Sequence, residues 1–130
     1  SSLEDYTYKS QLVTQAEMYM GCAVVCSAEL PPEMNVVIPQ AANDLLTING
    51  IQASVVAVNV GNQISVSARS MGEVNVQLIM EKLGGGGHLT MAGAQLKDMS
   101  IEEARQKILE AIAEYREEQK KEQSRHTVRA

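Results

Sequence analysis

The chain has 130 residues, enough for a single domain that buries roughly two-thirds of the surface of its unfolded form. With 45% hydrophobic and 21% charged residues, its composition is that of a globular protein and not of a disordered or fibrous one. The net charge of −5 and the scattered Lys and Arg residues argue against a broad duplex-binding surface, although a local cation could bind a small anion. No hydrophobic run reaches membrane-spanning length, and residues 1–10 lack the features of a signal peptide, so we expect a soluble piece.

The first third of the chain predicts a helix, a buried strand and a second helix. Residues 1–19 are polar with spaced apolar positions, and we interpret them as a linker, a lead-in helix from an upstream catalytic domain. Residues 20–28 are almost entirely apolar, which favours a strand buried on both faces. Pro39 can occupy the first turn of a short helix that ends before Asn49 and Gly50.

Two cysteines, Cys22 and Cys26, lie four positions apart in the first predicted strand. The two-residue period of a strand puts both side chains on one face, about 13 Å apart, which is too far for a disulfide. No third ligand lies nearby in the sequence, so we interpret them as buried, inert thiols in a reducing compartment. Redox or metal chemistry is the weaker alternative.

The middle of the chain predicts a β-hairpin. Residues 51–60 and 63–69 have strand character, and a Gly-Asn turn joins them. In the second of these strands Ser65, Ser67 and Arg69 share one face. A polar stripe therefore runs along this face and ends in a cation.

A second helix follows the hairpin and leads into four consecutive glycines. Helical spacing covers residues 76–83, with Asn75 as the expected N-cap and Gly84 just past the helix end. The glycines occupy residues 84–87, and His88 follows at once. Because glycine loses more backbone entropy on folding than any other residue, four in a row indicate either a slack connector or a place where something approaches the backbone closely.

The last part of the chain predicts a short extended segment over residues 92–96 and then a long helix. Ser100 and Glu103 have the pattern of a capping box at the start of this helix. Residues 116–130 lose the apolar face, and we expect a polar helix extension that frays into a tail. The whole predicts an α/β domain over residues 20–115, a small mixed β-sheet covered by helices and completed by the long C-terminal helix.

Three segments of this layout predict a shared phosphate site. They are Arg69 and Ser70 at a strand end, Asn75 at a helix start, and the glycine-histidine segment of Gly84, Gly85, Gly86, Gly87 and His88. Glycines allow successive backbone N–H groups to converge on an anion, and an Arg can bind phosphate through two parallel hydrogen bonds. The glycines are not a Walker loop, because no Lys-Ser or Lys-Thr follows, and not a dinucleotide fingerprint, because they follow a helix.

Residues 67–96, SARSMGEVNVQLIMEKLGGGGHLTMAGAQL, carry these elements in an order that resembles a known family. The family is the DHH-associated domain, which follows the catalytic DHH domain in a superfamily of metal-dependent phosphoesterases. Its members have Arg-Ser after a strand, a helix that begins with NV or DV, then GGGGH or GGH, then AAG or AG. Within the superfamily, the chain looks most like the GdpP-type cyclic-di-AMP phosphodiesterases of Gram-positive bacteria.

The resemblance implies a substrate-binding role without catalysis. In the family, an Asp/His cluster on the other domain holds two Mn²⁺ ions, so we expect no catalytic residue, metal ligand or cofactor here, and no activity of this fragment alone. Arg69 is expected to contact a phosphate of a cyclic dinucleotide or a short linear dinucleotide, aided by His88 and the glycine N–H groups. The implied partner is an upstream DHH domain in the same chain, membrane-anchored by segments before it, with this domain on the cytoplasmic side. A homodimer stays open.

Other functions also stay open. The first is the substrate clamp of an oligoribonuclease or oligonucleotide phosphatase of the same superfamily. The second is a non-catalytic nucleic-acid-binding module, against which His88 argues because that branch typically replaces the histidine. The third is a structural dimerisation domain, which would not explain the joint presence of the arginine, the glycines and the histidine.

Overall fold

The computed structural model describes residues 2–129 and contains a mixed six-stranded sheet between two helical layers. The elements in chain order are α1 (Leu3–Thr14), β1 (Glu17–Tyr19), β2 (Cys22–Ser27), a 3₁₀ turn (Pro32–Met34), α2 (Val37–Leu45), β3 (Ala53–Val60), β4 (Gln63–Ser70), α3 (Val76–Glu81), β5 (Gly86–Gly87), β6 (Met91–Lys97) and α4 (Ile101–Arg129). The strand order is β1-β2-β3-β4-β6-β5. In the described residues, β2 and β3 pair in parallel and the other neighbours are antiparallel. The predicted mixed sheet, the β3–β4 hairpin and the long last helix are confirmed.

The two faces of the sheet are covered to different extents. Helices α3 and α4 cover one face, where alternate residues of the strands from β2 to β6, such as Val55, Val66 and Ala94, join one core. Helices α1 and α2 cover the other face, and their core includes Val25 and Val56 from β2 and β3 but no residue of β4 or β6. Alternation along a strand places every second residue of β4 and β6 on this second face. Helix α2 also lies close to β4, so the cover on this face is partial at β4, and no residue of β6 joins its core.

The N-terminal segment is part of the fold, and it ends in a strand that the sequence did not predict. The lead-in helix is present as α1, and Leu12 is buried in the core beneath α2. Strand β1 then pairs with β2 through a turn at Met20 and Gly21, whose φ angles are +51° and +84°. The predicted strand over residues 20–28 therefore begins two residues later, at Cys22, because the turn occupies its first two positions.

The cysteines are free and lie on the same side of the sheet, as predicted. Cys22 is fully buried in the core under α3 and α4, and Cys26 packs against the same core. Burial raises the pKa of Cys22 and raises that of Cys26 to about 11, so both thiols keep their protons near neutral pH. A protonated thiol is a poor nucleophile and a poor metal ligand.

Helix α4 begins with the predicted capping box and is anchored along its first half. The Ser100 hydroxyl accepts from the Glu103 N–H at 3.1 Å, and the Glu103 carboxylate accepts from the Ser100 N–H at 3.4 Å. Further along, Arg116 donates from Nη2 to the Met20 carbonyl at 2.8 Å and to Gln52 Oε1 at 2.6 Å, which ties the helix to the β1–β2 turn. The polar extension stays helical to Arg129. No helix in the described part of the chain has the length and apolarity to cross a membrane.

Candidate functional site

The less covered part of the sheet forms a continuous surface that we call the open face. It consists of Ser65, Ser67 and Arg69 of β4, Met91, Gly93 and Gln95 of β6, and Gly86 of β5. Directly opposed residues of antiparallel strands point to the same side, and the register places Ser67, Gly93 and Gly86 in one row and Arg69 and Met91 in the next. Because two of the three positions in the first row are glycines, the surface beyond Ser67 has no side chains above the backbone of Gly93 and Gly86. It is a shallow floor with a cation at its edge.

Glycine is required at some positions of this region, because a Cβ would clash there, but not at all of them. A Cβ on Gly85 would overlap the carbonyl oxygen of Gly93, and a Cβ on Gly87 would lie 2.5 Å from Ala92 Cα. A Cβ on Gly93 would lie 2.8 Å from the Val66 carbonyl oxygen. Gly86 differs, since a Cβ there would meet nothing within 4 Å. The protein's own packing therefore does not require glycine at position 86.

Gly84 is the glycine that ends α3. Its φ is +82°, a conformation that residues with a Cβ rarely adopt. The Gly84 N–H donates to the Glu81 carbonyl at 3.1 Å and the Gly85 N–H to the Met80 carbonyl at 2.9 Å, the pair of bonds of a Schellman motif. These two N–H groups terminate the helix, so they do not take part in the expected convergence of glycine N–H groups on an anion.

Arg69 lies half-buried on the open face without an acidic partner among the described residues. Its Nη1 donates to the carbonyl of Ala68 at 2.8 Å and reaches that of Ala92 at 3.4 Å. Its Nε is buried and has no hydrogen-bond partner in the described chain. Burial lowers the pKa of the guanidinium, because the charged form loses solvation and no anion restores it. The site therefore holds a partly desolvated cation with a free donor.

Ser70 is buried on the other side of the sheet, where it holds two loops together. Its hydroxyl donates to the Val74 carbonyl at 2.6 Å, and a longer contact of 3.3 Å joins it to the Leu89 carbonyl. Its backbone N–H donates to the Thr90 carbonyl at 3.1 Å. The β4–α3 loop and the β5–β6 turn are thus joined directly behind Arg69. A contact between Ser70 and substrate stays a prediction, and in this structure the residue positions the loops.

Asn75 is the N-cap of α3, as predicted. Its Oδ1 accepts from the N–H groups of Gln77 at 3.1 Å and Leu78 at 3.4 Å. Its own N–H donates to the hydroxyl of Tyr115 on α4 at 2.9 Å. Asn75 therefore faces the α3–α4 layer, and the structure does not bring its side chain together with Arg69 on the open face.

His88 lies at the tight turn between β5 and β6, with an exposed side chain. The His88 N–H donates to the Met91 carbonyl at 2.7 Å, and the Met91 N–H donates back to the His88 carbonyl at 3.3 Å. This reciprocal pair continues the register that matches Gly87 with Ala92, so His88 falls in the same cross-strand row as Met91 and Arg69. Of the predicted residues, the structure therefore brings together Arg69, Gly86 and His88.

Comparison with known proteins identifies the family of this chain. The family model described as "DHHA1 domain" matches residues 25–118, which include all the strands from β3 onward and the whole of the open face. The chain belongs to the DHHA1 family. The resemblance read from the arginine, glycine and histidine motifs is thereby confirmed.

The DHHA1 chain is also similar to longer proteins of named activity. It is 45% identical over 112 residues to the cyclic-di-AMP phosphodiesterase PdeA of Listeria monocytogenes, covering 85% of this chain and 17% of the relative. It is 34% identical over 108 residues to the bifunctional oligoribonuclease and PAP phosphatase NrnA of Thermus thermophilus, covering 80% of this chain and 32% of the relative. The chain thus spans less than a third of the length of each of these relatives.

A solved structure has the same fold. An exopolyphosphatase-related protein from Bacteroides fragilis matches with a TM-score of 0.74 at 22% identity, and the match covers 88% of this chain and 36% of the other. At this level of identity the likeness concerns the fold and not the activity.

The family resemblance implies a metal centre on another domain. Among the described residues of this DHHA1 chain, no three His, Cys, Asp or Glu side chains lie close enough to hold one metal ion. The residues that face the open floor are Ser, Arg, Gly, Met and Gln, which are not a donor set for Mn²⁺. No metal-dependent step is assigned to these residues.

The sequence did not predict that three residues of β6, Met91, Gly93 and Gln95, belong to the open face. Ser67 was placed on the polar stripe with Arg69, but its neighbours across the sheet were unknown. The alternating pattern of small and larger residues in MAGAQL signals a strand with two different faces. What was lacking is the pairing of β4 with β6, which joins residues more than twenty positions apart and has no local signature.

Proposed function

We propose that this chain is the substrate-binding domain of a cyclic-di-AMP phosphodiesterase, and that Arg69 binds a phosphate of the substrate on the open face. The observation that carries the proposal is the Arg69 guanidinium, with a buried Nε that lacks an acceptor, on a face where Gly86 and Gly93 leave the backbone uncovered by side chains. An anion there would accept from the guanidinium and offset the desolvation that lowers its pKa. The glycine at position 86, which the packing does not require, gives that anion access.

The assignment to cyclic-di-AMP rests on similarity to PdeA. Because the chain spans 17% of that relative, the remaining length is available for a catalytic domain. In this proposal that domain is a DHH domain upstream in the same chain, and it holds two Mn²⁺ ions and activates water. The open face orients the phosphate, and His88, in the Arg69 row, provides a further donor.

The alternative is the substrate clamp of an oligoribonuclease. The similarity to NrnA of Thermus thermophilus supports it, at lower identity than the similarity to PdeA. Both readings place a phosphate on Arg69, but they differ in whether the intact protein prefers a cyclic or a linear dinucleotide. Comparing kcat/KM of the intact protein for cyclic-di-AMP and pApA separates them.

The phosphate contact can be tested through the Arg69 side chain itself. In ¹H–¹⁵N spectra of the chain, the Nε–H signal of Arg69 should shift on addition of cyclic-di-AMP, pApA or inorganic phosphate at millimolar concentration. The Nε–H signal of Arg105, which pairs with Glu17 on the surface, is the internal control and should stay in place. A hydrogen bond to a charged group contributes about 1.5 to 3 kcal/mol, so Arg69→Ala should weaken binding roughly ten- to a hundredfold. An Arg69 signal indifferent to all three ligands would contradict the proposal.

We further propose that the chain alone does not hydrolyse cyclic-di-AMP, since its described residues offer no metal donor set. Incubating it with cyclic-di-AMP and pApA, with and without Mn²⁺, should leave both substrates intact on chromatography. Turnover that persists through repurification and disappears in the Arg69→Ala variant would overturn this part of the proposal.

A further inference from the structure

Three large apolar side chains are exposed on the two turns next to Arg69. Met71 is 75% exposed at the start of the β4–α3 loop, and Leu89 and Met91 are 46% and 54% exposed at the β5–β6 turn. We call these three residues the apolar rim. Exposed apolar side chains grouped beside a polar site are typical of a surface that contacts a ligand or partner.

The apolar rim is held in place by its backbone. Ser70 joins the loop that carries Met71 to the turn that carries Leu89, through its hydroxyl and its backbone N–H. The Val76 N–H donates to the Leu89 carbonyl at 3.0 Å, which fixes the same turn to the start of α3. The rim is therefore a preformed surface, which reduces the entropy lost on binding.

The position of Met91 relative to Arg69 links the rim to the phosphate. The two residues are directly opposed on β6 and β4, and directly opposed side chains have Cβ atoms about 4.5 to 5.5 Å apart. In a nucleotide, sugar and base lie next to the phosphate. A nucleotide whose phosphate binds Arg69 therefore has the Met91 side chain within reach of its sugar or base.

The chemistry of the rim limits how it could recognise a base. The tyrosines of the chain lie on α1, β1 and α4, so the aromatic ring on these turns is the imidazole of His88, which the proposed function assigns to the phosphate. The carbonyls of Leu89 and Thr90 accept bonds from Ser70 and Val76, and the backbone groups of His88 and Met91 bond to each other. What the rim offers is the contact surface of thioether and aliphatic groups, which interact favourably with the face of an aromatic ring.

We infer that the apolar rim receives a base of the substrate whose phosphate binds Arg69, and that it prefers purines to pyrimidines through contact area without distinguishing adenine from guanine. The inference rests on the proposed function and goes beyond it, because it places part of the base recognition on this domain and assigns it to Met91 and its neighbours. Dispersion contacts grow with the size of the ring system, whereas telling adenine from guanine requires polar groups that face the base edge.

The test measures dissociation constants of the chain for ligands that differ in the base. The ligands are pApA, pGpG, pUpU and, as a phosphate without a base, ribose 5-phosphate, each titrated with amide and Arg69 Nε–H signals as the readout. The variant is Met91→Gln, which keeps a long unbranched side chain and makes it polar. Met18→Gln is the matched control, since Met18 is 56% exposed on β1 at the far side of the sheet.

We expect wild type to bind pApA and pGpG within about twofold of each other and pUpU roughly two- to tenfold more weakly, in line with the strength of sulfur–aromatic contacts. Met91→Gln should lose this preference and bind ribose 5-phosphate as wild type does, whereas Met18→Gln should match wild type throughout. If Met91→Gln retains the full purine preference while its spectrum shows a folded protein, the inference is overturned.

If Met91→Gln folds poorly, a second variant tests the inference. Leu89→Ser changes the same surface on the exposed turn, and it should reduce the preference for purines over pyrimidines. Equal affinity of wild type for pApA and pUpU would overturn the base contact and leave the phosphate site standing. A further outcome is that wild type binds pApA and pGpG with different affinities and that Thr90→Val abolishes that difference. This result would show that a polar group recognises the base edge, and it would also overturn the inference. Failure of all ligands to shift Arg69 would instead contradict the proposed function.

Discussion

Single residues in the glycine segment have separate tasks, although they look alike in the sequence. Gly84 is needed for its left-handed backbone, and Gly85 and Gly87 are needed because β6 passes too close for a side chain. Gly86 alone lies against open space with an ordinary backbone conformation. A glycine that neither packing nor conformation requires is the one whose missing side chain serves a ligand in the proposed site.

Alanine substitution can distinguish the role of Gly86 from that of Gly87. The free energy of unfolding of Gly86→Ala should lie within about 1 kcal/mol of that of wild type, because the new methyl group meets no atom of the protein. The same methyl group should weaken phosphate binding, because it would obstruct the open face. Gly87→Ala should cost about 1 to 3 kcal/mol or more, because its Cβ would lie 2.5 Å from Ala92 Cα at a φ of +146°. Urea unfolding and ligand titration of both variants make the comparison. Normal phosphate binding by a stable Gly86→Ala protein would remove the reason for a glycine floor.

The thiol of Cys26 makes stability depend on pH in a defined direction. Burial raises its pKa from the usual 9.0 to about 11 in the folded chain. The folded state therefore holds this proton more tightly than the unfolded state, and the resulting contribution to stability is complete below pH 9 and is lost as pH rises toward 11. The urea midpoint of wild type should fall over this interval more steeply than that of Cys26→Ala. Parallel curves for the two proteins would contradict the predicted shift.

At this scale the sequence grouped Arg69 with a neighbour that faces the other side of the sheet. Arg69 and Ser70 are consecutive residues of β4, and consecutive residues of a strand point to opposite faces. The two-residue period therefore separates them, and only Arg69 reaches the open face. A family motif reports which residues occur together, and it does not report which side of the sheet each one faces.

Among the elements, α3 is the one whose start and end the sequence predicts most clearly. Asn75 caps its start and Gly84 ends it, and both were predicted from local rules of helix capping. The short strands β1 and β5 were missed. Strand β5 consists of Gly86 and Gly87, which have no strand propensity, and it exists because β6 offers a partner. Strand β1 is three residues long and depends on the turn at Met20 in the same way.

The capping role of Asn75 predicts how its variants behave. Asn75→Ala should cost about 1 kcal/mol, since the N–H groups of Gln77 and Leu78 lose their acceptor. Asn75→Asp should stay near wild type, because a carboxylate accepts the same bonds and interacts favourably with the helix N-terminus. Urea midpoints measure both effects. Equal stability of Asn75→Ala and wild type would show that the cap contributes nothing.

Asn75→Asp also separates capping from substrate binding. A negative charge in contact with a phosphate would weaken binding strongly, whereas a charge in the α3–α4 layer, where Asn75 lies, would not. We expect the variant to bind pApA as wild type does. A marked loss of binding with unchanged stability would return Asn75 to the phosphate site.

In the molecule as a whole, the open face results from unequal coverage of the sheet. The core beneath α1 and α2 ends at β3, so the β4 residues of the open face, although α2 lies close to this strand, are only partly buried in the described chain. The sequence predicted helices covering the sheet and a polar stripe on one strand, which are local features. It did not predict that β6 and β5 extend this stripe into a floor, because that depends on pairings between distant segments. Local pattern thus indicated the elements, and long-range pairing made the site.

Helix α4 contacts the rest of the domain through residues up to Glu118, which pairs with Lys82 of α3, and the side chains of residues 120–127 are exposed. Tyr115 is 7% exposed and accepts from the Asn75 N–H, and Arg116 binds the Met20 carbonyl. A chain that ends after Gln119 should therefore have a free energy of unfolding within about 0.5 kcal/mol of that of wild type, since the removed side chains through residue 127 are exposed. The free energy of unfolding of a chain that ends after Glu114 should be lower by about 3 to 5 kcal/mol, which is comparable to the effect of deleting a buried aromatic side chain. Thermal and urea unfolding of the two truncated chains, with Tyr115→Phe and Arg116→Met as point controls, measure these losses. If the shorter chain were as stable as the longer one, the contacts of Tyr115 and Arg116 would not be what joins α4 to α3 and to the β1–β2 turn.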